Sequence, residues 1–325
     1  MTLIRNFFQL VFIFSILSTN NLIWAQAYPN KPVRLIVPQS AGGSSDAAAR
    51  IIAVKLSEVW KQNVVVETRP GAGGNIGTDL VAKAPKDGYT LLMTYEGSYA
   101  INQWLYGTLP FDSVKDFVTI ASISTVPFLI VVNAGSRFKN LQDYIETAKS
   151  GDGKLNFASA GNGTVNHLAG EMFKMQARVN IQHIPYKGIT PGVTDLLGGQ
   201  IDSAFTSIPS VSQFIINGKL RALAVTSIKR SEALPNVPTM HESGLPGFDI
   251  NTWYGILGPV GLSDVIVKKI NADVNEILKQ KDTKDRLAAI GFEILISTPE
   301  EFANFAQKDI QKWEKVVKSS AAKLD

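Results

Sequence analysis

Two stretches of the chain place hydroxyls and bare amides where a strand hands over to a helix. In RLIVPQSAGGSSDAAARIIAVKL (34–56), an apolar run passes through Gly42, Gly43, Ser44 and Ser45 into an amphipathic helix. In KLNFASAGNGTVNHLAGEMFKM (154–175) the same plan recurs, with Ala160, Gly161, Asn162, Thr164 and Asn166 in the turn. A helix N-terminus offers unpaired N–H groups and about half a positive charge. Glycine lets a ligand approach the backbone, and Ser or Thr adds a hydroxyl donor. A carboxylate or phosphate suits such a place without any Lys or Arg. Hydrogen bonds to a charged group contribute roughly 1.5–3 kcal/mol each. A few from each turn reach micromolar binding, about −8 kcal/mol. Either turn alone reads as a capped βα loop. The pair points to an anion held between them.

Chemistry beyond binding is thinly represented. The three histidines, His167, His183 and His241, show no metal-ligand spacing, and HESGL (241–245) lacks a zinc protease's second histidine. No G-x-S-x-G elbow frames a serine nucleophile. His183 reads as a satisfied strand histidine, and His167, in the first turn of the second helix, as a pocket-lining residue. A third glycine-rich stretch, RPGAGGNIGTDL (69–80), mimics a dinucleotide fingerprint, but Ile76 stands where glycine is required and Arg69-Pro70 interrupts the turn. It reads as a structural loop.

The elements that position the two turns alternate. Strand runs lie at 33–37, 64–67, 90–93, 128–132, 155–159, 181–185, 201–205 and 221–227. Between them run helices such as 46–60, with Ala48, Ile52, Leu56 and Val59 on one face, and 164–176, with Leu168, Met172 and Met175. This alternation predicts an α/β fold with parallel or mixed sheets covered on both faces. The C-terminal region reads as helical: 263–280 opens on Ser263, and Thr298, Pro299 and Glu301 form a capping box, with a short strand at 292–296 between. Pro and Gly gather at 234–248 before an apolar run at 253–259, where the chain crosses back from a second lobe to the first.

The length of 325 residues suggests two domains. Residues 1–27 read as a signal peptide: Arg5, an apolar run at 7–17 too short for a confident anchor, and AQA before Tyr28. The expected location is the periplasm. The chain has no cysteine, hence no disulfide framework or lipid-anchor Cys, and its formal charge of +4 includes no basic cluster suited to nucleic acid.

At these residues the chain resembles the periplasmic solute-binding proteins of tripartite tricarboxylate transporters, the Bug proteins. The likeness runs through YPNKPVRLIVP (28–38), GGSSDAAAR (42–50), ETRPGAGGNIGTDLVAKAPKDGYTLL (67–92) and AIN (100–102). It continues in FASAGNGTVNHLAGEMF (157–173), PYKG (185–188), DLLGGQID (195–202), GKLRALAVTS (218–227), LPNVPTMHESGLPGF (234–248) and STPEEF (297–302). The resemblance implies a two-lobed, type II-like Venus-flytrap fold with two interdomain crossovers. Domain I is expected to comprise 28–126 and 251–325, and domain II 127–250. It implies a small carboxylated ligand in the cleft, membrane permease subunits as partners, a monomer, and neither cofactor nor catalysis.

In that picture the first lobe contributes Gln39, Ser40, Gly43, Ser44, Ser45 and Asp46, followed by Tyr95, Glu96 and Ser98 after the third strand. The second contributes Ala160, Gly161, Asn162, Thr164, Asn166, His167, Tyr186, Thr206 and Ser207. Gln39-Ser40-Ala41, Thr94-Tyr95-Glu96 and Thr206-Ser207 depart from the family's usual residues. A cleft-facing Glu96 would oppose a dianion and accept a hydrogen bond from an amine or amide, favouring a zwitterionic or amide-bearing acid. The rival readings are a sensor signalling to a membrane receptor, and a periplasmic hydrolase or lyase using Asp46 or a cleft histidine.

Overall fold

The β-branched runs form strands, and the order in which they join carries the two turns to one edge. The structure is a computed structural model that describes residues 28–151 and 154–319. The expected signal peptide lies outside the described residues. The strands are β1 (Val33–Val37), β2 (Val64–Thr68), β3 (Thr90–Tyr95), β4 (Phe117–Asn133), β5 (Asn156–Ser159), β6 (Gln182–Pro185), β7 (Ser203–Ser207), β8 (Leu220–Val225), β9 (Asn251–Pro259) and β10 (Glu293–Ile294). The helices are α1 (Ser44–Trp60), α2 (Asn75–Ala82), α3 (Asn102–Leu105), α4 (Leu141–Ser150), α5 (Val165–Ala177), α6 (Ile189–Leu197), α7 (Ile208–Ile216), α8 (Asp264–Lys279), α9 (Lys281–Ala288) and α10 (Pro299–Ser319). A 3-10 turn, Ala72–Gly74, leads into α2, and a π turn, Gly97–Ile101, into α3.

Strand β4 organises the molecule. Its first part pairs antiparallel with β9, from Phe117 opposite Pro259 to Pro127 opposite Asn251, and also carries β10. From Phe128 onward it pairs instead with β7 and β8, again antiparallel. The first sheet continues through β9 to β3, β1 and β2, and the second through β7 to β5 and β6. Pairs β1–β2, β1–β3, β5–β6 and β5–β7 are parallel. Ligand turns in such sheets sit at the carboxyl ends of the parallel strands. That is where 38–43 and 160–164 lie.

Both faces of both sheets are covered. Val33, Leu35, Ile52, Leu56, Ile256, Ile270 and Val274 fill one core between the first sheet and α1, α8 and α9. Leu129, Val193, Leu196 and Val211 pack the second sheet against α6 and α7. The remaining core is continuous across both sheets: Ile36, Leu92 and Phe302 join Ile130, Phe157 and Phe205 through Phe128, Phe248, Ile250 and Trp253.

Two helix faces differ from expectation. Trp60, not Val59, extends the 48–52–56 row, because steps of four keep the row facing the sheet; Val59 is exposed. In α5, Phe173 and Ala177 extend the row from Val165 and Ala169, and Met175 turns to solvent. The C-terminal caps form as expected. Thr298 Oγ1 accepts from Glu301 N (3.1 Å), Glu301 Oε2 accepts from Thr298 N (2.8 Å), and Ser263 Oγ accepts from Ile266 N (3.4 Å).

Candidate functional site

The first turn is held from inside and from behind. Gly42 takes φ +80°, and the buried Asp46 carboxylate accepts its N–H at 2.9 Å while pairing with Arg50 at 3.0 Å. Asp46 therefore shapes the turn through Oδ2, while its Oδ1 is buried without a hydrogen-bond partner. Behind the turn packs the glycine-rich stretch at 71–77. A Cβ on Gly77 would sit 2.7 Å from the Arg69 carbonyl oxygen and 2.9 Å from Pro38 Cα. The Tyr95 hydroxyl and Asn102 Nδ2 both donate to the Gly73 carbonyl, at 2.8 and 2.9 Å. The stretch is a buttress for the first turn, in keeping with a structural loop.

The second turn has its own brace. Ser159 Oγ accepts from Gly161 N (3.1 Å) and lies 2.6 Å from His183 Nε2. Thr164 Oγ1 donates to the Gly161 carbonyl (2.7 Å) and caps α5 by accepting from His167 N (3.5 Å). His167 Nδ1 accepts from Gly163 N (3.0 Å), which places its proton on Nε2, toward Glu171 at 3.7 Å. The His167 and His183 rings stack 3.9 Å apart at 9°. Burial lowers both histidines, with His183 pushed down to about 3, so two neutral rings stack without repulsion. His167 thus braces the turn through its ring nitrogen. Asn166 Nδ2 donates to the Phe205 carbonyl (2.8 Å), tying α5 to β7.

The first turn belongs to one sheet, yet it meets the second sheet directly at the end of β7. Ser44 Oγ, opening α1, lies 2.7 Å from Ser207 Oγ at the end of β7, and Ser207 Oγ lies 3.1 Å from Ser210 Oγ. Beside them, a Cβ on Gly188 would lie 3.9 Å from Ser40 Oγ. Ser45 Oγ, Thr206 Oγ1 and Ser124 Oγ are buried without a hydrogen-bond partner. Gln39 is half-buried, Ser40 exposed and Gly43 half-buried on the first side; Ala160 and Gly161 are half-buried and Asn162 exposed on the second.

Three expected residues are committed elsewhere. The Tyr186 hydroxyl donates to Asp195 Oδ2 (2.6 Å), and burial, followed by that pairing, pushes the phenol up to about 12. Ser98 is buried, with its Oγ 3.4 Å from the Tyr95 carbonyl. Glu96 is 1% exposed, and its Oε2 accepts from the Thr252 hydroxyl and from Trp253 N (3.0 Å). The expectation that Glu96 offers its carboxylate to a ligand amine is corrected accordingly. Sequence reasoning missed Tyr254, which stands opposite Tyr95 in the β3–β9 register and is 4% exposed. Burial and Glu96 raise its phenol, while the hydroxyls of Thr252 and Ser44 act the other way. The one available signal was the aromatic pair Trp253-Tyr254 immediately after the return crossing.

Comparison with known proteins decides the family. The model of the tripartite tricarboxylate transporter family receptor, TctC, matches residues 48–321. The chain belongs to this receptor family. Among its relatives, a UPF0065 protein from the tcbD–tcbE intergenic region of Pseudomonas sp. strain P51 is 40% identical over 292 residues, spanning 90% of this chain and 87% of that protein. Protein BugT of Bordetella pertussis is 38% identical over 301 residues, spanning 92% of each. Of solved structures, R. palustris Rpa4515 with adipate superposes with a TM-score of 0.88 at 34% identity, covering 91% of this chain and 100% of that one. MatC from Rhodopseudomonas palustris, with bound malate, gives 0.81 at 30% identity, covering 89% and 100%. The chain thus has the two-lobed α/β periplasmic binding protein fold that the resemblance implied.

Proposed function

We propose that this receptor captures a small carboxylate between the turns 39–46 and 159–167 and delivers it to membrane permease subunits. Residues 28–126 with 251–325 act as one lobe and 127–250 as the other, turning about the crossings at 126–128 and 250–252. The observation that carries the reading is the direct meeting of Ser44 and Ser207 from opposite sheets. Around them Ser45 and Thr206 hold buried hydroxyls whose donors a ligand oxygen would satisfy. An unmet buried hydroxyl costs roughly 1–3 kcal/mol. Recovering that on binding gives the closed form its advantage over the open one. The turns bind through amides and hydroxyls, so two carboxylates, one per lobe, fit better than one. Glu96, turned to Thr252 and Trp253, does not oppose the second. The structural neighbours that hold adipate and malate support a dicarboxylate.

A thermal-shift screen of mono-, di- and tricarboxylates, amino acids and aromatic acids tests this. A ligand at 100 times its Kd adds about 2.7 kcal/mol of stability. A dicarboxylate is expected to raise the Tm, and Ser44→Ala with Ser207→Ala to diminish the rise. A panel in which only cations or neutral solutes raise the Tm would overturn the reading.

A further inference from the structure

Just past α9, Gly291 takes φ +88° and turns the chain toward β10. Its N–H bonds to the Ala288 carbonyl (2.9 Å), and the next residue, Phe292, is buried against Tyr254 with ring centroids 5.6 Å apart. The turn is thus locked into the core of the first sheet. Yet what faces it belongs to the second. A Cβ on Gly291 would lie 2.5 Å from Ile208 Cγ2 and 2.8 Å from Ile208 Cβ, with Ala233 Cβ at 3.8 Å. Ile208, at the start of α7, is fully buried in the core with Leu129 and Val211. It follows directly on Ser207, which meets Ser44. The seam continues past the glycine. Burial, and then Glu232 beside Ala233, raise the Glu293 carboxyl, so the same two stretches face each other through a pair of acids.

We propose that Gly291 sets how far the receptor closes: its bare backbone receives Ile208 of the opposite lobe, and a side chain there would wedge the lobes apart beside Ser44 and Ser207. The proposal rests on the reading of 28–126 with 251–325, and of 127–250, as lobes that close on a carboxylate. Carbon atoms pack at about 3.5–4.0 Å, so a Cβ at 2.5 Å demands a separation of about 1 Å. A rotamer change cannot supply it. Rotation about χ1 of Ile208 moves Cγ2, but its Cβ is fixed to the backbone.

Either a lobe must deform or the two must part. Inside each lobe the contact is backed by a packed core, where displacement is costly. Between the lobes, parting is opposed by the Ser44–Ser207 hydrogen bond and by the paired strands at the crossings, which can twist. Parting is the softer response. Because Ile208 is joined to Ser207, it draws Ser207 away from Ser44. Gly291 is in this sense a positioning residue: it acts on the ligand only through the lobe that meets it.

Two controls separate the wedge from the strain of a left-handed backbone. Asn tolerates that conformation, and Gly244 takes φ +96° with nothing within 4 Å of its Cβ position. G291N therefore adds a wedge, and G244N adds the same side chain without one. The cysteine-free chain accepts spin labels at Val265→Cys in α8 and Met175→Cys in α5, native residues 79% and 48% exposed, to report the distance between lobes. In the ligand-free protein, G291N is expected to shift the distance distribution from the wild-type one, and G244N to leave it in place. Adding Ile208→Gly, which removes both contacting atoms, should return G291N to the wild-type distribution. In titrations with adipate and malate, G291N should bind about tenfold more weakly and G244N like the wild type. An unshifted G291N, a shift shared by G244N, or one that survives Ile208→Gly overturns the proposal. Should that double variant fail to fold, Ile208→Ala decides: it removes Cγ2, the nearer atom, and must recover part of the shift. Wild-type lobes that move with adipate or malate, together with a G291N that moves as far, sink the closure stop and leave the receptor reading standing. Wild-type lobes that respond to no carboxylate of the wider panel sink both.

Discussion

At the scale of single residues, the proposed site is built from hydroxyls, and its one unusual neighbour is an acid turned to Thr252 and Trp253. Ser44, opening α1, and Ser207, ending β7, share a hydrogen bond, so their contributions to the proposed ligand binding should not add. Each alanine is expected to weaken carboxylate binding by about tenfold, near 1.4 kcal/mol, and the double variant by clearly less than the product; titration calorimetry on all four forms reads the coupling. Glu96 gives a second expectation, on stability. Its folded value, about 8, lies above the ordinary value of 4.5. Its stabilising contribution is therefore complete below about pH 4.5 and is lost as pH rises through 8. In the variant Glu96→Gln, the amide imitates the protonated acid and does not titrate. The two proteins should melt alike near pH 5, and the variant should melt higher by pH 9. A gap of several degrees is expected, since 1 kcal/mol is worth roughly 2–4 °C in domains of 150–250 residues. Parallel melting curves across that range would sink the assignment of the raised value.

At the scale of elements, the two turns are rigid because each has a dedicated support. Behind the first, Gly77 meets the backbone of Arg69 and the Pro38 ring, so Gly77→Ala must push Pro38 or Arg69 aside. Overpacking of this kind costs roughly 1–3 kcal/mol. Urea unfolding should show that loss, and carboxylate affinity should fall with it because the displaced atoms belong to the turn; an alanine variant with unchanged midpoint and affinity would remove the buttress role. Much of this layer was legible in the chain. β1 and β2 begin where the β-branched runs at 33–37 and 64–67 begin, and the capping box at Thr298 and Glu301 formed as the spacing required. The first half of β4 was not legible. FVTIASISTV alternates poorly because two irregularities in its pairing with β9 shift the side chains between faces. Site residues were harder to read than elements. Spacing placed Asp46, Glu96 and His167 near the turns, but which way a polar side chain points depends on partners distant in sequence, as Thr252 lies 156 positions from Glu96.

At the scale of the whole molecule, the hinge of the proposed closure is made of strand and not of flexible linker. β4 runs unbroken from one sheet to the other, its partner β9 begins opposite Pro127, and Thr226 bonds to both crossings. Closure on such a hinge is a twist of paired strands, so the core must hold together at the crossings. The continuous packing from Leu92 and Phe302 through Trp253, Ile250 and Phe128 to Phe157 and Phe205 meets that need. Two lobes that share a core cannot unfold independently: exposing one strips apolar contacts from the other. Calorimetry is therefore expected to give one transition, with calorimetric and van't Hoff enthalpies in agreement. Thr226→Val tests the same coupling from the other side. It removes the hydroxyl that meets Phe128 N and the Ile250 carbonyl, leaves both groups buried, and should cost roughly 1–3 kcal/mol. If the clasp joins the lobes, the variant should lower the single transition without splitting it, because the shared apolar core remains. Two resolved transitions in the wild type would show instead that the crossings are a mere tether, and that the lobes keep separate cores.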